Sequence, residues 1–112
     1  FSFKKSDVLI GEFVRFNKPG GRESFVEYAN AITPLIKGVG GEVILSVEAE
    51  IPVVSEELWD HFVFSKYPSL DAFKKLFTSD DFIEAGRLRR KALESAMIVP
   101  STQAVEQNKA TK

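Results

Sequence analysis

Hydrophobic positions recur along this chain with two periods, and the switches between them mark the elements. Residues 8–16 (VLIGEFVRF) are rich in β-branched and aromatic types and run into the turn signal Asn17-Lys18-Pro19-Gly20-Gly21. They predict a strand with Leu9, Gly11 and Phe13 on one face and Val8, Ile10, Glu12, Val14 and Phe16 on the other. From Arg22 the period lengthens: Phe25, Tyr28, Ala29, Ile32, Leu35 and Ile36 form one helical stripe. Pro34 either kinks this helix or closes it with a second short turn, and Gly38, Gly40 and Gly41 end it. Residues 42–51 alternate again. Val43, Leu45, Val47, Ala49 and Ile51 oppose Ile44, Ser46, Glu48 and Glu50, as in a half-buried strand. Residues 52–57 predict a turn or irregular edge segment. Residues 59–66 predict a third strand, with Phe62 and Phe64 opposite Trp59, His61, Val63 and Ser65.

The second half is helical first. Pro68-Ser69-Leu70-Asp71 starts a helix with Ser69 as N-cap, continued by Ala72, Phe73, Leu76 and Phe77. A second cap signal, Ser79-Asp80-Asp81, restarts it through Ile83, Leu88, Ala92 and Leu93. Residues 96–99 predict a short closing strand ended by Pro100. Residues 101–112 are polar and aperiodic, a tail beyond a single domain at 7–100. The order β-α-β-β-α-β, with right-handed crossovers, gives an α+β ferredoxin-like fold. Its four-stranded antiparallel sheet carries both helical regions on one face. The other face is then left bare and partly apolar, which predicts a homodimer packed through the sheet face.

Composition narrows the function more than it names one. The 112 residues are 44% hydrophobic and 28% charged, which suits one packed domain. Lys plus Arg number 15 and Asp plus Glu 16, so the net charge of −1 offers no general attraction to nucleic acid or an anionic membrane. The absence of cysteine excludes disulfides, thiolate metal sites and a cysteine nucleophile. The single histidine, His61, excludes any site needing several imidazoles from one chain. No apolar run approaches the roughly 20 residues of a membrane span, and the cytoplasm is the expected location. A first residue Phe1 in place of Met leads us to expect a trimmed or processed chain.

Several runs together carry a family resemblance. They are Gly40-Gly41-Glu42-Val43, an aromatic strand, Tyr67-Pro68-Ser69-Leu70-Asp71-Ala72-Phe73, Ser79-Asp80-Asp81-Phe82 and Arg87-Leu88-Arg89-Arg90-Lys91-Ala92. From Val8 to Pro100 the chain resembles the DUF1330 family of the dimeric α+β barrel superfamily. The resemblance implies the barrel fold and the dimer, and little chemistry. Where that family tends to carry a tyrosine after the short helix, this chain has Phe82-Ile83, and its segment 49–57 lacks an expected glycine. The superfamily includes cofactor-free monooxygenases, isomerases and haem enzymes, but a shared fold does not transfer their functions.

The most suggestive residues fall on the face expected to be uncovered. There Glu12, Ser46, Glu48 and His61 would meet, and a carboxylate beside the imidazole would raise its pKa into the range of a general base. Trp59 and Tyr28 would wall a planar substrate. The plainer reading makes these residues cross-strand polar pairs at a rim or dimer interface. Arg87 and Arg89 read as a solvated helix face, whereas Arg90 is kept as a ligand contact because an arginine near this place recurs in the resembling family. Both glycine clusters read as turns. The RNA-recognition module shares this strand order, but residues 60–64 lack its glycine and its positive charge. Haem would find only Met97 as a second axial candidate, so no cofactor or metal is expected. The expected function is binding of a small hydrophobic or aromatic molecule, either between sheet and helices or at the dimer seam. The alternative is a cofactor-independent monooxygenase- or isomerase-like enzyme with His61 as base and Glu12 or Glu48 orienting it.

Overall fold

The computed structural model describes Lys4, residues 6–48 and residues 59–102. In chain order these form β1 (Val8–Phe16), α1 (Gly21–Gly38), β2 (Glu42–Glu48), β3 (His61–Tyr67), α2 (Leu70–Phe77), α3 (Asp80–Ala92) and β4 (Leu93–Thr102). The strands pair antiparallel in the order β2-β3-β1-β4, and the helices pack on one face. This is the expected α+β ferredoxin-like fold. The expected irregular segment at 52–57, the strand extension at 49–51 and the tail at 103–112 lie outside the described residues.

The even-numbered row of β1 faces the helices. Val14 and Phe16 join Phe25 and Tyr28 of α1 and Ala85 and Ala92 of α3 in one buried cluster. Val8 and Ile10 join Ile36, Tyr67 and Leu76 in a second. Each large apolar side chain buried this way contributes about 1.5–3 kcal/mol. Serine hydroxyls start both later helices as the sequence predicts: Ser69 accepts from the Ala72 amide at 3.0 Å, and Ser79 from the Phe82 amide at 3.2 Å. Gly40, at φ +83, makes the left-handed turn between α1 and β2 that a side chain would strain. The Pro34 question resolves in favour of one helix, since α1 runs through it to Gly38.

Three sequence expectations are corrected. The β2–β3 register shifts between Val43 and Leu45, so Ile44 is the extra residue of a bulge and Val43 moves to the side that Ser46 occupies. Strand β3 begins at His61, which leaves Trp59 outside the alternation. Strand β4 starts at Leu93 and continues through Pro100 to Thr102, because a proline is tolerated on an edge strand.

On the opposite face, β1 presents Leu9, Gly11 and Phe13. The vacant position at Gly11 lets the rings of Phe62 and Phe64 lie within 3.5 and 3.9 Å of where a Cβ would stand. Leu45, Val47, Met97 and Val99 share this face and are exposed.

Candidate functional site

A cavity of about 330 Å³ lies between the inner face of the sheet and the helices. One wall is a chain of edge-to-face rings running from β3 into α2 and α3. Tyr67 meets Phe73 at 5.1 Å between centroids, Phe73 meets Phe77 at 5.7 Å, and Phe77 meets Phe82 at 5.3 Å. The helix α1 closes the opposite side with Phe25, Ile32 and Ile36.

Into this apolar space the fold brings one charged pair. Glu12 interrupts the otherwise apolar inner row of β1, and Arg89 descends from α3 to ion-pair with its carboxylate. The side chains are 15% and 23% exposed, so water screens the pair only partly. The Arg89 guanidinium lies 5.6 Å from the Tyr28 ring centroid.

Burial pushes the Tyr28 phenol above its ordinary pKa, against the opposing pull of Arg89. Burial alone would loosen the proton of Arg89, but the hydrogen bond and charge of Glu12 more than offset this and hold it charged. Burial likewise raises the Tyr67 phenol above its ordinary pKa.

At the mouth of the cavity stands a second polar group. Ser46 lines the cavity, and its Oγ lies 2.7 Å from His61 Nε2. The imidazole packs edge-on against Phe25 at 5.4 Å. Glu48 is ion-paired with Arg22 of α1. Burial lowers the His61 pKa, and the nearby Arg22 charge lowers it further. The imidazole is therefore neutral near pH 7 and able to accept a proton.

Residues 14–102 match the model of a domain of unknown function, DUF1330. The chain belongs to the DUF1330 family. Among solved structures it is similar to a protein of unknown function from Rhodopseudomonas palustris, at 23% identity and a TM-score of 0.78, covering 89% of this chain and 84% of that one. A dimeric ferredoxin-like protein of unknown function from Thermobifida fusca is similar at 14% identity and a TM-score of 0.64, covering 91% and 95%. The hydroxynitrile lyase of Passiflora edulis is similar at 15% identity and a TM-score of 0.71, covering 89% and 95%. At these identities the likeness establishes the fold. No protein of curated function matches the chain.

In this DUF1330 chain the sequence-derived residues are partly reunited and partly rearranged. Glu12, Ser46, Glu48 and His61 do share one sheet face, but it is the face the helices cover rather than the bare one. The row they belong to also holds Val8, Ile10, Val14 and Phe16, whose burial draws the helices to that side. Glu48 stands directly opposite His61 in the β2–β3 register, with its carboxylate ion-paired to Arg22, while Arg89 engages Glu12. Tyr28 lines the cavity as expected.

Trp59 does not line it. It sits 6.0 Å from Phe13 on the opposite face, with the Arg15 guanidinium 5.1 Å over its ring. Arg90 is exposed, and Arg89 takes the place expected of it. The signal was present in the sequence: Ala85, Arg89 and Ala92 fall at i, i+4 and i+7, which puts Arg89 on the stripe packed toward the sheet. Phe82, where the resembling family tends to place a tyrosine, adds an apolar ring to the wall. Among the described residues, no group of three or more carboxylate or histidine side chains converges as a metal site. No described helix is long and apolar enough to cross a membrane.

Proposed function

We propose that this chain is a homodimeric binding protein for a small hydrophobic or aromatic molecule held between sheet and helices. The observation that carries the reading is the cavity of about 330 Å³, walled by apolar and aromatic side chains with a small polar cluster inside. That is the usual form of a small-molecule site. The exposed Leu45, Val47, Met97 and Val99 on the other sheet face support the dimer, as such a patch calls for a covering partner. Similar folds described as dimeric, from Thermobifida fusca and Bacteroides fragilis, support it too.

Native mass spectrometry on gently purified protein tests both halves. A mass near twice that of the chain plus a few hundred daltons is expected. A monomer sinks the sheet-to-sheet pairing. A dimer whose cavity takes up no apolar probe sinks the binding reading.

A second reading, a cofactor-independent enzyme with His61 as general base, is favoured by one contact. Ser46 Oγ, at the cavity wall, lies 2.7 Å from a neutral Nε2. Under that reading His61→Ala abolishes turnover of the bound molecule and leaves its binding intact.

A further inference from the structure

The binding reading says nothing about what the occupant carries, and the polar cluster does. Of the described residues lining the cavity, only Glu12 and Arg89 are charged, and they neutralise each other. A carboxylate or ammonium brought into that space would leave one buried charge uncompensated, which apolar walls penalise heavily.

The serine and threonine hydroxyls are engaged locally. Thr33 donates to the Ala29 carbonyl at 2.6 Å, Ser46 meets His61, and Ser65 donates to the Ile10 carbonyl at 3.5 Å. Two phenols remain, Tyr28 and Tyr67, and Tyr28 is the one beside the charged pair. Its ring lies 5.6 Å from the Arg89 guanidinium, which has no acceptor, so the phenol's own proton is left for an acceptor in the cavity. Burial keeps the phenol protonated, so the donor persists across neutral pH.

We propose that the cavity selects an uncharged ring-bearing molecule with one carbonyl oxygen, which accepts a hydrogen bond from Tyr28 and lies beside the Arg89 guanidinium. The inference rests on the binding reading and adds the chemical class. Size follows from the volume: at ~30 Å³ per water-sized unit, the space admits on the order of ten non-hydrogen atoms. A single substituted ring fits with room to spare, and a fused bicycle is about the upper limit.

Three probes of nearly equal size separate the cases: acetophenone, benzoate and ethylbenzene, titrated into the intact protein while amide shifts around the cavity are followed. Acetophenone is expected to bind at least tenfold more tightly than either of the others. Tyr28→Phe keeps the ring and should remove that margin while leaving ethylbenzene unchanged. Glu12→Gln leaves Arg89 uncompensated and should turn the preference toward benzoate by about tenfold. This variant tests the charge argument even if Tyr28→Phe fails to fold. Equal binding of all three, or a wild-type preference for benzoate, overturns the carbonyl assignment while the cavity still binds. No perturbation by any probe overturns the binding reading itself, and the assignment with it.

Discussion

The helix side of the sheet carries Val8, Ile10, Val14 and Phe16 in close packing, yet also holds its charged residues, Glu12 and Glu48, each paired with an arginine from a helix. The opposite side is almost all apolar in its middle; Trp59 packs against Phe13 there, while Leu45, Val47, Met97 and Val99 stay exposed among the described residues. The usual equation of buried with apolar and exposed with polar is thus incomplete at the centre of this sheet. A charge on a strand faces the interior when the opposing element supplies its counter-ion, and an apolar row faces outward when another molecule is its partner.

The largest way to break this contrast is to strand the interior charge. Glu12→Ala leaves the Arg89 guanidinium unpaired among rings and should cost about 3 kcal/mol in urea unfolding. Glu12→Leu combined with Arg89→Met should recover most of that loss. If the single variant unfolds at the wild-type urea concentration, the pair does not matter to the interior in the way described.

Charging the bare side tests the other half. Leu45→Asp and Val99→Asp touch exposed positions on β2 and β4, so the monomer fold should persist. The dimer dissociation constant should rise at least tenfold, about 1.4 kcal/mol, in sedimentation equilibrium. An unchanged average mass would mean that this face is not the one that pairs.

The smallest effect sharpens the boundary between the two sides, at His61. Its folded pKa lies below the unfolded value of about 6.5, first through burial and then through Arg22. Stability from this group is therefore complete above about pH 6.5 and declines as pH falls toward the folded pKa, because the unfolded chain takes up the proton first. Against His61→Asn, wild-type melting temperature should drop more steeply between about pH 7 and pH 5. Parallel curves would remove the linkage.

Local signals in the sequence were reliable where local physics decides. Ser69 and Ser79 cap their helices because a hydroxyl one turn from an amide needs no tertiary help. The strand order followed from connectivity rules. The choice of covered face was not legible, since both rows of β1 are apolar enough to be buried and alternation alone has no sign. Trp59 misled because Asp60 ends the alternation: it accepts from the Phe16 amide through its carboxylate at 2.8 Å and donates its own amide to Val14. The Ile44 bulge could not be read either, as the extra residue is apolar and fits the run on both sides. Arg89 was legible from the Ala85–Ala92 stripe but was outweighed by the density of charge around it.

The two edges of the sheet have a further consequence for how copies of the chain can meet. On β4, Pro100 offers no amide hydrogen, and on β2 the bulge at Ile44 breaks the even spacing of donors and acceptors. A neighbouring strand that tried to extend the sheet would find a flawed template on either side. Open-ended growth into filaments is disfavoured at both margins. Under the proposed pairing, association falls to the broad face, where a two-fold arrangement is self-limiting and stops at a pair.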